Sequence, residues 1–529
     1  MARNKKIDLI LDDVVVESVA AEGKAIAHAH LPGDDPEGPA RVVFIEFAVP
    51  GDVVKIRVVR KKKSFAEGRI IEIKKPSDQR LEPFCEHFGV CGGCKWQPLP
   101  YSIQLEAKQR QVFDQLKRIG HLDIPEISPI IGSDKTREYR NKLEFTASDR
   151  RWLSAEELAA GMSDEQARDR QCGQAASPSG PGSLRPSARS LQTNVPEGLQ
   201  PARFQTPTQG PGPAPFTPGL GFHVGKFFDK VLDINRCHLQ PEPSNAIRLW
   251  VRKYLIDKGL EFYNVRENEG FFRNMFVRTT DAGAVMVIMC FAVQSPAIAP
   301  MLDALAAAFP EITSLYYIIN DKKNDTVGDL DPVLYRGDEA IYEQMEGLRF
   351  KIGPKSFYQT NTGQAYKLYK VAREFARLTG DEVVYDLYTG TGTIAQFVSA
   401  RARKVIGIEY VPEAIADARI NAEGNGITNC EFFAGDMKDV LNAGFIAEHG
   451  RPDVMIVDPP RAGMHPDVVK VILDASPQRI VYVSCNPASQ ARDLAMLSDR
   501  YSITAVQPVD MFPHTQHVEN VCALELLDE

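Results

Sequence analysis

One stretch of the chain leaves it little choice of fold. From Glu382 to Asp436, "EVVYDLYTGTGTIAQFVSARARKVIGIEYVPEAIADARINAEGNGITNCEFFAGD" alternates β-branched runs of strand length with patterns of helical period, and a glycine-rich turn follows the first run. "PDVMIVDPPR" (452–461) and "QRIVYVSCNP" (478–487) add two more such runs, each followed by a helix pattern. Strands joined through helices pair in parallel, because a parallel pair needs a long crossover. Residues 351–529 are therefore expected to form a doubly wound, Rossmann-like α/β sheet.

In such sheets ligands bind outside the carboxyl ends of the strands. The first predicted strand ends at Asp386 and runs into Gly390-Thr391-Gly392, where glycines let the backbone approach a ligand closely. The second ends at Glu409, roughly 20 residues on, where a carboxylate can accept hydrogen bonds from a ribose diol. A nicotinamide dinucleotide would fit that much. Three features favour S-adenosylmethionine instead. Asp386 stands before the loop, where it would repel a pyrophosphate but attract a sulfonium and an amino group. Asp436 follows the third strand, where an acid can contact adenine, and Asp458-Pro459-Pro460 ends the fourth, as in methyltransferases that act on bases.

The fifth strand ends in "VSCNPAS", which places Cys485 beside the expected methyl donor. A buried cysteine is usually inert packing. This one precedes a helix whose N-terminus would favour a thiolate, with Pro487 suited to its first turn. Carbon 5 of uracil is too weak a nucleophile to attack a methyl sulfonium unaided. Adding a thiolate at carbon 6 makes an enolate whose carbon 5 can attack. A base must then remove the carbon 5 proton so that β-elimination frees the enzyme. Glu519, in a turn before the last strand of "PHTQHVENVCALEL", is the candidate; a surface acid is the plainer reading.

The N-terminal part has a different grammar. "LILDDVVVESV", "ARVVFIEFAV", "DVVKIRVV" and "EGRIIEIK" run at period two between Gly and Pro punctuation, so residues 1–76 are expected to close as a small, OB-like β-barrel. Lys55 to Lys75 within it is strongly basic, which suits a solvated strand edge or a phosphate-binding stripe equally. A helix is predicted over "YSIQLEAKQRQVFDQLKRIG", stopping at Gly120. Residues 77–153 and 220–350 are assigned to a central α+β domain. Between them, 154–219 is rich in Pro, Gly, Ser and Gln and reads as a disordered insertion at the tip of a hairpin. No run approaches the ~20 apolar residues of a membrane span, and two aspartates break the N-terminal apolar run, unlike a signal peptide. Nine cysteines in such a chain suit a cytoplasmic protein with metal-binding or catalytic thiols better than a disulfide framework. The net charge of −8 does not advertise nucleic-acid binding, so that case rests on the distribution of charge.

Three cysteines fall within "CEHFGVCGGC", residues 85–94. A metal shell needs a fourth ligand. Cys172 lies in the insertion, whereas Cys237, in "DINRCHLQP", follows a β-like segment. His87 and His238 keep a zinc Cys₃His site open. Zinc sites usually pair two C-x₂-C knuckles, however, and C-x₅-C-x₂-C with a remote cysteine suits an iron–sulfur cluster better.

"DLYTGTGT", "DPPR", "VSCNP" and "HVE", in this order and spacing, resemble the RNA uracil-C5-methyltransferase family over nearly the whole chain outside the insertion. With the barrel, which is similar to a TRAM domain, and the cysteine cluster, the likeness is to its 23S ribosomal RNA branch. The resemblance implies Cys485 as nucleophile and Glu519 as base. It implies S-adenosylmethionine held by Gln359 of "SFYQTN", Tyr388, Thr393, Glu409, Asp436 and Asp458, and a [4Fe-4S] cluster on Cys85, Cys91, Cys94 and Cys237. Tyr388 and Thr393 depart from the family's usual Phe and Asn. RNA cytosine-C5-methyltransferases carry a further cysteine after the fourth-strand prolines, and "DPPRAG" has none, which favours uracil.

The expected substrate is a uridine of 23S ribosomal RNA, flipped from its stack to reach a strand-end cysteine, and the chain is expected to act as a monomer. Transfer-RNA specificity is one alternative, although relatives acting on transfer RNA are expected to lack the barrel and the cluster. An RNA-binding chaperone with a vestigial catalytic domain is another. Since nothing in the chemistry at Cys485 needs electrons, the cluster is expected to clip the segment after the barrel to the central domain.

Overall fold

The computed structural model describes residues 9–153, 218–225 and 227–528. The expected disordered insertion, but for its last two residues, lies outside the described residues.

Strands β1 (Leu9–Val19), β2 (Ala25–Ala29), β3 (Arg41–Ile45), β4 (Val53–Lys61) and β5 (Phe65–Lys75) close into a barrel in the order β1-β2-β3-β5-β4. Period-two patterning drives the closure: along β4, Val54, Ile56 and Val58 are fully buried while the residues between them face outward. Among the described residues, four of the nine basic side chains from Lys55 to Lys75 pair with acids of the barrel. Lys55 and Lys74 pair with Asp12 at 3.3 and 2.7 Å, Lys61 with Asp34 at 3.7 Å and Arg60 with Glu67 at 3.4 Å. Strand β2, "AIAHA", escaped the sequence reading because alanine has little β preference; Ala25 and Ala27 line the barrel interior.

The central sheet has the order β12-β11-β10-β9-β6-β7-β8. Its strands are β6 (Lys142–Ser148), β7 (Gly219–His223), β8 (Val231–Leu232), β9 (Phe272–Thr279), β10 (Val285–Phe291), β11 (Ile312–Ile319) and β12 (Val333–Gly337). β6 pairs antiparallel with β7, Thr146 opposite Gly221, so the insertion does join two hairpin strands. Helix α1 (Tyr101–Arg118) precedes this sheet in the chain, and α2 (Ser244–Asp257) and α3 (Ile298–Ala308) cover it. A short hairpin, β13 (Ile341–Met345) and β14 (Leu348–Ile352), leads to the last unit.

That unit is the predicted α/β sheet, in the order β17-β16-β15-β18-β19-β21-β20. Its strands are β15 (Val383–Leu387), β16 (Lys404–Glu409), β17 (Cys430–Ala434), β18 (Val454–Val457), β19 (Arg479–Ser484), β20 (Tyr501–Val509) and β21 (Glu519–Leu526). The first five in this order up to β19 run parallel, and β21 inserts antiparallel between β19 and β20. The helices are α4 (Thr362–Ala376), α5 (Thr393–Ser399), α6 (Pro412–Gly424), α7 (Met437–Val440), α8 (Ala443–His449), α9 (Pro466–Ala475) and α10 (Pro487–Leu497).

Successive strand residues face opposite sides, so the sheet carries two cores. Val384, Ile456 and Val481 pack under Leu368, Ile394 and Ile415 from α4, α5 and α6. Tyr385, Met455 and Tyr482 pack under Ile472 and Leu494 from α9 and α10, together with Val112 and Leu116 of α1. Helix α1 thus packs against this sheet.

Candidate functional site

At the carboxyl edge, Asp386 is fully buried and accepts hydrogen bonds from Thr389 Oγ1 at 2.5 Å and the Ala395 amide at 3.0 Å. Its other carboxyl oxygen has no partner among the described residues. The loop that follows turns through left-handed conformations at Tyr388 (φ +64°), Gly390 (+56°) and Gly392 (+74°). Gly392 is also packed so that a Cβ would lie 2.9 Å from the Phe432 ring. Glu409, at the end of β16, accepts from the Gly390 amide at 3.2 Å and the Val411 amide at 3.0 Å, which ties the loop to the neighbouring strand. Thr393 opens α5 with its hydroxyl 3.4 Å from that of Thr391. Asp436 caps α7 and pairs with Lys438 at 3.3 Å. Gln359 lies in the loop before α4, where its carbonyl accepts from Asn141 Nδ2 of the central unit at 2.9 Å. Strand order sets Glu409 and Asp436 on one side of Asp386, and Asp458, Cys485 and Glu519 on the other.

The second group meets by register. Ser484 of β19 stands opposite Asn520 of β21, and the next residue outward on each strand is Cys485 and Glu519. Glu519 opens β21 and is buried, not in a turn or at the surface. Burial, reinforced by Asp458 and opposed by Arg461, pushes its carboxyl up to about 8. Burial also raises Asp386 and Asp458 to about 7, with Asp386 adding to the rise at Asp458.

The same surroundings push the Cys485 thiol up to about 11, through burial first and then Glu519 and Asp458, with Arg461 opposing. This differs from the expected helix-stabilised thiolate. Amides at the start of α10 are already engaged, with Ala488 donating to the Asn486 side chain at 3.2 Å and Asn486 to Ser484 Oγ at 3.1 Å. Arg461 is held there through its carbonyl, which accepts from Asn486 Nδ2 at 2.9 Å and Ser489 Oγ at 3.1 Å.

A second site lies behind this edge. Cys85, Cys91, Cys94 and Cys237 line one cavity of about 400 Å³. Burial raises Cys91 to about 11 and Cys94 to about 12, and each is further disfavoured as a thiolate by its neighbours. Such a set of thiols fits a positively charged inorganic group. Four thiolates around one zinc at ~2.3 Å would stand roughly 3.8 Å apart; among the described residues no group of three or more ligand-type side chains is gathered to hold a metal ion. His87 is also engaged, because its Nε2 accepts from the Asn235 amide at 2.8 Å. The cavity wall includes Arg461, Phe512, Thr515 and His517, so it touches the segment leading to Glu519 as well as the central unit.

Residues 337–526 match the model of the tRNA (Uracil-5-)-methyltransferase family. Two curated relatives, both described as uncharacterized RNA methyltransferases, match almost end to end. The one from Bacteroides thetaiotaomicron is 52% identical over 96% of this chain and 100% of its own length. The one from Porphyromonas gingivalis is 51% identical over 96% and 98%. The chain belongs to the RNA uracil-C5-methyltransferase family. Among solved structures, the methyltransferase resembles the Pyrococcus abyssi tRNA (uracil-54, C5)-methyltransferase in complex with S-adenosyl-L-homocysteine, with a TM-score of 0.66 and 26% identity over 96% of this chain and 99% of that one. This likeness to an enzyme named for transfer RNA spans nearly the whole of both chains.

Two features of the methyltransferase's site had no role in the sequence reading. Arg461, although part of the quoted "DPPR", is the cation whose charge reaches both Cys485 and Glu519. Phe357 and Tyr410, beside Gln359 and Glu409, stand 69% and 67% exposed, unusual for aromatic side chains. Proximity in sequence to Asp458, Glu409 and Gln359 was the available signal.

Proposed function

We propose that this methyltransferase transfers a methyl group from S-adenosylmethionine to carbon 5 of a uridine in RNA, with Cys485 as nucleophile and Glu519 as base. The observation that carries the reading is the register that sets these two side chains against each other at the carboxyl edge, with Asp458 and Arg461 beside them. The cofactor, when bound, supplies an electrophilic methyl group on a sulfonium. Asp386, Asp458, Glu409, Asp436, Gln359, Tyr388 and Thr393 would hold it, and the buried acids suit its positive charge. The positive charge of the bound cofactor would favour the ionised forms of the buried acids beside it. Arg461 favours the Cys485 thiolate, which adds to carbon 6 of the uracil. Carbon 5 would then take the methyl group as the methyl–sulfur bond breaks to leave neutral S-adenosylhomocysteine, Glu519 removes the carbon 5 proton, and the Cys485–carbon 6 bond breaks to return the thiolate. The exposed rings of Phe357 and Tyr410 suit stacking on a base.

RNA carrying 5-fluorouridine at the target should form a denaturation-resistant adduct with the wild type and none with Cys485→Ser. An active enzyme that forms no adduct would remove the thiolate mechanism. If the wild type binds RNA but methylates none, the chaperone reading takes its place.

The family resemblance favours a uridine of 23S ribosomal RNA. The end-to-end likeness to an enzyme named for uracil 54 of transfer RNA favours the second reading. Mapping 5-methyluridine in both RNAs from a strain lacking the gene decides between them. Cys85, Cys91, Cys94 and Cys237 would hold a [4Fe-4S] cluster in a structural role. Anaerobically purified protein should be coloured and contain iron, and a colourless protein with stoichiometric zinc would overturn that assignment.

A further inference from the structure

Strand β20 ends at Val509, which stands opposite Glu519 in the ladder. The next residue, Asp510, is fully buried and every one of its polar atoms is engaged. Its amide donates to the Ile131 carbonyl at 2.9 Å, and its own carbonyl accepts from Gln364 Nε2 of α4 at 2.7 Å. One carboxyl oxygen accepts from Lys108 Nζ at 2.5 Å and the Phe512 amide at 3.0 Å; the other accepts from Tyr101 Oη at 2.8 Å. Lys108 is itself fully buried, and also donates to the Phe512 carbonyl at 3.1 Å. Lys108 and Tyr101 both belong to α1, outside the family-matched C-terminal region.

The contacts continue along the 510–518 loop. Gln104 of α1 accepts from the His514 amide at 2.8 Å, Lys95 and Trp96 donate backbone bonds to the His514 carbonyl at 2.9 and 3.1 Å, and Tyr139 donates to the Pro513 carbonyl at 3.1 Å. A buried lysine without its carboxylate is costly, so this pair tolerates one arrangement of α1 against the hairpin neck. No reacting group is part of it.

From this geometry we infer that Lys108 and Asp510 are positioning residues for Glu519: they lock α1 to the neck of the β20–β21 hairpin and so fix the base relative to the Cys485-bound uracil. The inference rests on the proposed role of Glu519. Misplacing a base by about an ångström can slow its step by ~10²-fold, and the affected step here is proton removal, after methyl transfer. Disturbing the pair should therefore leave adduct formation near the wild-type rate and slow its resolution, so that enzyme and RNA accumulate joined through Cys485 with the new methyl group in place.

The experiment follows a radiolabelled methyl group from S-adenosylmethionine into denaturation-resistant enzyme–RNA adduct, in single turnover with the full chain. The double variant Lys108→Met/Asp510→Asn removes both charges while keeping one side-chain oxygen as an acceptor for the Phe512 amide. Labelled adduct should persist ~10-fold longer or more than in the wild type. A double variant that melts like the wild type and releases methylated RNA at the wild-type rate overturns the inference. If that variant does not fold, Tyr101→Phe carries the test, since it deletes one hydroxyl from the Asp510 carboxylate; unchanged release then overturns it equally. Glu519→Gln in the same assay separates the two readings. Prompt release by Glu519→Gln would reject Glu519 as base, whereas adduct with Glu519→Gln but not with the charge-pair variants would reject the positioning role alone.

Discussion

Asp386, Asp458 and Glu519 hold their protons to about 7, 7 and 8 because burial disfavours their charged forms. In the unfolded chain the same groups ionise near ~4. Between those values the native state binds more protons than the unfolded state, so stability without ligand should fall as pH rises from about 4 to 8. Thermal melts across that range should show the decline, and Asp458→Asn should flatten it. The same acids predict that S-adenosylmethionine releases protons on binding near pH 7, and that S-adenosylhomocysteine, which lacks the sulfonium charge, releases fewer. Calorimetry in buffers of different ionisation enthalpy measures both. Glu519→Gln should methylate RNA but fail to let go of it. At this scale the sequence was informative about identity and poor about state. The doubly wound grammar places Asp386, Glu409, Asp458 and Cys485 at strand ends, and each is found there. That Cys485 is raised instead of lowered follows from its burial first and then from two acids that arrive from other strands, neither of which a local pattern encodes.

Among the elements, the loop from Tyr388 to Gly392 makes the sharpest demands. At Gly390 a Cβ would meet nothing within 4 Å, so Gly390→Ala pays only the left-handed backbone, about 1 kcal/mol. Gly392→Ala adds a clash with the Phe432 ring and should lower the melting temperature further and weaken S-adenosylhomocysteine binding more than its neighbour does. Asn486→Ala should cost about 1 kcal/mol as a lost helix cap and loosen the Arg461 backbone it holds. Helix-strand alternation was readable because each element buries one face at its own period. The antiparallel insertion of β21 between β19 and β20 was not, because periodicity specifies faces and not neighbours.

Across the whole molecule, α1 was recognised as a helix from its pattern, yet its partner was not, since Lys108 meets Asp510 across 402 positions. Removing one member of a fully buried pair costs about 3–5 kcal/mol, more than removing both. Lys108→Met alone should therefore melt below the double variant. The cysteine cavity follows the same plan, drawing its wall from the segment after the barrel, the central unit and the approach to Glu519; Cys237→Ser should lose most of the visible absorption and iron expected of a cluster there. The separation of Lys108 from Asp510 also orders events in time. Contacts so distant in sequence carry a large loop-closure cost, so the Lys108–Asp510 pair is expected to close after the sheet. A refolding chain would place Cys485 on its parallel sheet before α1 locks the hairpin neck. For that interval it would be able to seize RNA and unable to release it.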